Sequence, residues 1–360
     1  MLIHHMENIV LIPKKDVSYY FWYFGLSNNI LFVLILSSLE SLYPKNISII
    51  ALCTILPGLI VKISIPLWIN YKFLNYYNKT VIIVISYIIS YLFITLNSNY
   101  LFLIGVILSS FSSSFGDTIF IPLSIITSKK SISYWSAGTG SAGIIGSTYY
   151  LLLYNIFNLN ARIILLSVIW LPILIMYFFN KIELSELETY ELNYNQLTRT
   201  DLNSWIFNYI IPLSSTYFNE YLINLAILPK IIRYSQNKQK IYYPIFIFFY
   251  QLGVLISRSS KICIIKKNVQ NLYIFSTLQF INLIICLLIA IYQLVDKPYI
   301  IYIIIFYVGL ISGFSYVFTF SKITNEVCDE KKEMCSLTVS IGDISGQTLA
   351  SLVSLFVKIK

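Results

Sequence analysis

Residues 100–126 read YLFLIGVILSSFSSSFGDTIFIPLSII, an apolar run that is long enough to cross a lipid bilayer as one helix. The hydrocarbon core of a bilayer is about 30 Å thick, and a helix needs roughly 20 residues to cross it. Asp117 is the one charged residue of this run, and helical spacing places it on the same face as Ser110 and Ser113. The stretch therefore predicts a membrane helix with a polar face that looks into a protein interior.

The composition of the whole chain agrees with that stretch. Hydrophobic residues make up 57% of the 360 residues and charged residues only 11%, whereas soluble proteins carry about 25% charged residues. A soluble core of this length could not bury so much apolar surface. We therefore predict an all-α, polytopic transmembrane helix bundle of about eleven helices, with the lipid bilayer as its surroundings. The expected spans are 18–40, 48–70, 81–96, 100–126, 133–154, 162–180, 205–228, 241–257, 273–293, 299–320 and 335–357.

The longest hydrophilic stretch between spans divides the chain into two parts. We expect an N-terminal cytosolic tail (1–17), a six-helix half (18–180), an acidic cytosolic linker (181–204) and a five-helix half (205–357). Two pairs of spans repeat at similar offsets, because Asn29 aligns with Glu220 and Phe115 with Phe314. The pattern predicts two parallel pseudo-repeats with a solute site between them, which is the plan of the major facilitator superfamily.

The charges of the loops predict the orientation. If the N-terminus is cytosolic, the 25 lysines and arginines divide 15 to 9 in favour of the cytosol, with Lys62 inside a span. The net charge of +9 comes from these short loops, so we expect no nucleic-acid partner. The predicted cytosolic tail contains Glu7, Leu11 and Ile12, which fit an acidic dileucine motif that sorting adaptors bind.

Four ionisable residues lie inside predicted spans, where a charge is costly and usually faces a partner or a cavity. They are Lys62, Asp117, Glu220 and Asp343. Two interpretations stay open: the residues contact a small polar solute or couple its movement to protons, or they form a structural ion pair such as Lys62 with Asp117. Polar neighbours complete the predicted site: Asn28, Asn29, Tyr217 and Asn224.

Residues 138–143 read GTGSAG and match the GxGxxG fingerprint of dinucleotide sites. The fingerprint also needs a preceding strand and a later acidic residue, and the run has neither. We interpret Gly138, Gly140, Gly143 and Gly146 as small residues that let helices pack closely.

The sequence also argues against an enzyme. Its two histidines, His4 and His5, precede the first span, and its five cysteines form no zinc-like pair. We therefore expect no metal, no cofactor and no catalytic residues.

Three stretches carry a resemblance to a known family. Phe24 to Asn29, Ser112 to Asp117 and Tyr134 to Gly143 resemble battenin, the lysosomal membrane protein family of juvenile neuronal ceroid lipofuscinosis, and the resemblance continues through residues 217–224 and 250–260. The chain departs from the family where Asp117 replaces a glutamate and where a C-terminal cysteine box is missing.

The resemblance implies a major-facilitator-like fold in a lysosomal or vacuolar membrane. It also implies export of glycerophosphodiesters and a part in vacuolar pH and basic amino-acid balance. For a phosphodiester, we expect Lys62 or Arg258 to contact the phosphate.

Transport is the function that the intramembrane carboxylates and the repeat favour. The alternative is a membrane scaffold that regulates trafficking or proton-pump activity without moving a solute.

Overall fold

The computed structural model describes residues 17–42, 47–68, 76–128, 130–182, 198–233, 239–263, 271–295 and 298–356. The residues of the predicted dileucine motif and most of the predicted linker lie outside these ranges.

The described residues form eleven membrane helices and no strand, which confirms the predicted all-α bundle. Two of the eleven are interrupted: α6 contains a four-residue turn, and α7 contains two π-helical turns. The helices are α1 (Ser18–Leu42), α2 (Ile47–Trp68), α3 (Tyr76–Thr95), α4 (Asn99–Thr127), α5 (Ser131–Leu151), α6 (Ala161–Leu166 and Leu171–Phe179), α7 (Arg199–Trp205, Ile211–Leu222 and Leu228–Arg233), α8 (Gln239–Cys263), α9 (Tyr273–Tyr292), α10 (Pro298–Glu326) and α11 (Asp329–Phe356).

Seven of these helices are long and apolar enough on their own to cross a membrane: α1, α3, α4, α6, α9, α10 and α11. Helices α2 and α8 contain shorter apolar segments, Ile49–Ser64 and Ile245–Ser260. Helices α2, α5, α7 and α8 contribute charged or small residues to the interior of the bundle, where neighbouring helices replace lipid.

The two halves repeat one packing scheme. Helix α1 packs on α5 as α7 packs on α11, and α2 packs on α4 as α8 packs on α10. Across the two halves, α5 meets α8 and α11 meets α2. This exchange of equivalent helices is the arrangement that two parallel pseudo-repeats produce.

Glycines bring α5 close to helices on two sides. A Cβ atom added to Gly25 of α1 would lie 2.5 Å from the Trp135 carbonyl oxygen, and one added to Gly138 would collide with the Trp22 backbone. Gly146 also faces α1, whereas Gly140 and Gly143 face α8. The four glycines of α5 therefore serve two contacts, one within the first half and one between the halves.

Hydrogen bonds between helix ends identify one face of the bundle. Ser18 at the start of α1 lies near Ser128 and Ser131, which flank the α4–α5 turn. Tyr76 at the start of α3 bonds Glu333 at the start of α11. We call this end, where the odd-numbered helices begin, the N-face, and the other end the opposite face.

Candidate functional site

A cavity of about 110 Å³ lies between the two halves, in the middle of the bundle. Its wall is built from helices of both halves and is rich in charged, hydroxyl and tyrosine side chains. The residues that line it include Asn29, Thr54, Lys62, Ser110, Ser113, Asp117, Thr139, Tyr217, Tyr221, Tyr250, Gln251, Arg258, Tyr316, Asp343 and Gln347.

Lys62 occupies the first charged position of this wall and is almost completely buried. Its ammonium nitrogen lies 3.0 Å from Asp117 Oδ2 on α4 and 3.4 Å from Asp343 Oδ1 on α11. It also donates to the Ser340 carbonyl oxygen at 3.0 Å. An ammonium has three donors, so these three contacts use its full capacity. Because Asp343 belongs to the second half, the cluster ties the two halves together.

Asp117 is oriented by a second layer of polar groups. Asn28 on α1 donates one amide proton to Asp117 Oδ1 at 2.9 Å and also reaches the Ser113 carbonyl oxygen at 2.9 Å. Tyr87 on α3 in turn donates to the Asn28 carbonyl oxygen at 2.5 Å. Asn28 therefore lies behind the cavity wall and positions Asp117, while its neighbour Asn29 reaches the cavity and donates to the Gly25 carbonyl oxygen.

Arg258 occupies the second charged position. One terminal nitrogen donates to Thr139 Oγ1 on α5 at 2.5 Å, and the other donates to the Tyr217 hydroxyl at 2.9 Å. The guanidinium carbon lies 4.3 Å from the centre of the Tyr316 ring, a cation–π geometry. Its buried Nε has no hydrogen-bond partner, and no described carboxylate forms an ion pair with it.

The predicted end of the eighth span placed Arg258 in a cytosolic loop, and this boundary is wrong. Helix α8 runs on to Cys263, so that Arg258 lies inside the bundle. The hydropathy pattern ended early because an arginine closed the apolar run. Inside the bundle, Thr139 and Tyr217 accept two of the hydrogen bonds that water would accept from Arg258 in a loop.

Glu220 is fully buried and lies behind the cavity wall. Its carboxylate accepts a hydrogen bond from the Tyr250 hydroxyl, and Tyr250 lines the cavity. Asn224 is also buried behind the wall, in the second π-helical turn of α7 (Ile223–Ile227). Such turns are frequent at functional sites, and this one begins three residues after Glu220.

The structure thus brings six predicted residues to one cavity: Asn29, Lys62, Asp117, Tyr217, Arg258 and Asp343. It places Asn28, Glu220 and Asn224 in the layer behind. Sequence reasoning missed Thr139, Tyr250 and Tyr316. The chain contains 30 tyrosines, so a single tyrosine carried little signal, and Thr139 lay inside the glycine-rich packing motif.

Among the described residues, no group of three or more histidine, cysteine, aspartate or glutamate side chains could hold a metal ion.

The fold resembles that of a solved transporter. The crystal structure of FucP, a major facilitator superfamily transporter, in the outward conformation aligns with a TM-score of 0.54 at 13% identity, over 96% of this chain and 97% of that one. This likeness shows the fold.

Relatives in sequence align with this chain over almost its whole length. Protein BTN1 of Kluyveromyces lactis is 34% identical over 96% of this chain and 94% of its own. Protein BTN1 of Saccharomyces cerevisiae is 30% identical over 93% and 92%, and protein btn1 of Schizosaccharomyces pombe is 31% identical over 98% and 96%. The profile of the CLN3 protein family matches residues 19–202 and 187–360. With its helices, cavity and relatives in agreement over almost the whole length, the chain belongs to the CLN3 (battenin) family.

Proposed function

We propose that the protein is a secondary transporter that carries a small polar solute across the membrane of an acidic, lysosome-like or vacuolar organelle. The observation that carries this proposal is the cavity between the two halves, which receives charged side chains from both of them. A solute that binds there can be exposed first to one face and then to the other as the halves rock about it.

The contacts between the halves support alternating access. Four hydrogen-bonded pairs that join the halves lie in the cavity wall or between that wall and the N-face, whereas the wall extends towards the opposite face through Phe32 and Thr54. The arrangement is that of a transporter closed on its N-face. The four pairs are Lys62 with Asp343, Tyr76 with Glu333, Trp135 with Tyr316 and Arg258 with Thr139.

Proton coupling fits the carboxylates at this site. Asp117 and Asp343 share one lysine, so the cluster has one carboxylate more than it has cations. Glu220 reaches the cavity through the Tyr250 hydroxyl. A carboxylate at this site could take up a proton in the acidic lumen and release it in the cytosol. Coupled to this proton movement, the solute would leave the organelle for the cytosol.

The family resemblance supports the finer parts of the proposal. The solute is a glycerophosphodiester or a basic amino acid, and its export supports vacuolar pH homeostasis. The division of the loop charges supports a cytosolic N-face. Sorting adaptors that recognise Glu7, Leu11 and Ile12 would bring the protein to that organelle.

Uptake by proteoliposomes tests the proposal directly. Purified protein would be reconstituted with an acidic lumen or a neutral one, and uptake of radiolabelled glycerophosphocholine and arginine compared with that of empty vesicles. Protein-dependent uptake that responds to the pH gradient supports transport. Uptake equal to that of empty vesicles for both solutes, together with a changed proton-pump activity in organelles that lack the protein, supports the scaffold alternative.

A further inference from the structure

Lys62 and Arg258 occupy equivalent places in the two halves. Lys62 lies on α2, the helix that packs on α4 and meets α11 across the interface. Arg258 lies on α8, the helix that packs on α10 and meets α5 across the interface. Each cation contacts the equivalent neighbour helices: Lys62 contacts α4 and α11, and Arg258 contacts α10 and α5.

The contacted residues are also equivalent in sequence. The offset that aligns Phe115 with Phe314 makes Tyr316 the counterpart of Asp117. Residues 136–141 read SAGTGS and residues 340–345 read SIGDIS. The shared serine, glycine and serine make Thr139 the counterpart of Asp343. The two cation sites therefore match in the cation and in two of its contacts.

The two sites differ in their anions. The Lys62 site contains two carboxylates, Asp117 and Asp343, and all three ammonium donors are used. In the Arg258 site, the matching positions hold a tyrosine ring and a threonine hydroxyl, both neutral. The carboxylates of Glu220 and Asp117 interact with Arg258 through their charge but form no ion pair with it. The hydrogen bond that Glu220 accepts comes from Tyr250.

A guanidinium inside a membrane protein is costly without an anion, and hydroxyl groups compensate only part of that cost. Arginine presents five N–H donors in a planar fork that fits carboxylate and phosphate groups. Thr139 and Tyr217 use two of those donors, and Arg258 faces the cavity. The second site is thus a cation site at which none of the described residues supplies an anion in direct contact.

We propose that Arg258 is the subsite for the oxyanion of the transported solute, and that the phosphodiester or carboxylate of the solute takes the place that Asp117 and Asp343 take at Lys62. This inference rests on the proposed transport function and names its recognition chemistry. Lys62, which has no free donor, holds the two halves together and does not bind the oxyanion. The negative charge left over on the Lys62 cluster favours a solute that also carries a cationic group.

The test is to supply the missing carboxylate from the protein. Thr139→Asp places an acidic group where its counterpart Asp343 stands, within reach of Arg258, and Thr139→Asn is the neutral control of similar size. Glycerophosphocholine and arginine serve as probes of a phosphodiester and a carboxylate. Affinity is measured by thermal stabilisation of the purified protein and by uptake into proteoliposomes.

We expect Thr139→Asp to weaken binding of the transported probe roughly tenfold to a hundredfold, the scale of one lost charge-assisted hydrogen bond. Its melting temperature without probe should be at least that of the wild type, because the new carboxylate pairs with Arg258. Thr139→Asn should bind within a few-fold of wild type. The probe that shows this pattern identifies the oxyanion as phosphodiester or carboxylate.

Wild-type affinity and uptake in Thr139→Asp would overturn the subsite while leaving transport intact. Absence of uptake by the wild type would instead contradict the proposed function. If Thr139→Asp fails to fold, Arg258→Gln takes its place, and unchanged binding in that variant would overturn the subsite equally.

Discussion

Lys62→Met is the substitution whose effect follows most directly from the structure. Methionine keeps the length and the apolar stem of lysine but removes the charge that Asp117 and Asp343 share at 3.0 and 3.4 Å. Removing one partner of a buried ion pair costs about 3–5 kcal/mol, because the remaining charge is left without compensation. Since Asp343 belongs to the second half, the loss also weakens the contact between the halves.

The free energy of unfolding would be measured by titrating the detergent-solubilised protein with dodecyl sulfate. We expect Lys62→Met to lower it by about 3–5 kcal/mol at neutral pH. Adding Asp117→Asn and Asp343→Asn to Lys62→Met should recover most of the loss, since a neutral cluster strands no charge.

A matched control is Lys322→Met, which removes a partly exposed lysine from an i, i+4 pair with the exposed Glu326 at 3.8 Å. Such pairs contribute about 0.3–0.5 kcal/mol, so this variant should remain close to the wild type. A loss below about 1 kcal/mol for Lys62→Met, or a triple variant no more stable than Lys62→Met, would refute the view of Lys62 as the shared counter-ion of two buried carboxylates.

Four further predictions address function, pH and placement. Glu220→Gln should keep the fold, because the amide can still bond Tyr250, while transport falls sharply or loses its dependence on luminal pH; a normal rate and pH response would leave Glu220 a structural role only. Hydrogen bonds from Lys331 and Thr198 lower the pKa of Asp201 to about 2, so its stabilising effect is complete above the unfolded-state pKa of about 3.9 and is lost only as the pH falls through about 2. Asp201→Asn should therefore lower the melting temperature equally at pH 5 and pH 7.5, and a pH-dependent difference would contradict the Lys331 contact. An N-terminal tag should be digested by protease added to intact organelles. Protection of the tag would show that the N-terminus is not cytosolic. A tagged protein should reside in an acidic organelle, and a location solely at the plasma membrane would refute this. An unchanged location of the Leu11→Ala/Ile12→Ala variant would contradict only the sorting motif.

Several properties of this protein can be predicted from its sequence because they depend on local patterns. An apolar run of about 20 residues has few alternatives to a membrane helix, since every backbone polar group must be bonded within it. The polar stripe of α4 around Asp117 and the repeat that pairs Phe115 with Phe314 are likewise visible in the residues themselves. These features predicted the helical bundle, its two halves and a polar interior.

The tertiary structure alone decided how the polar residues combine. Lys62 and Asp343 are separated by 281 residues, and nothing local distinguishes Lys62 with Asp117 alone from a cluster that joins the halves. Arg258 looked like a loop residue because hydropathy counts its charge but not the hydroxyl groups of Thr139 and Tyr217 that accept its hydrogen bonds. Glu220 lies behind Tyr250 because the rotation of α7 is set by its packing against α11 and α9. A charge inside the membrane is defined by its partners, and those partners come from helices that are distant in the chain and meet only when the two halves pack together.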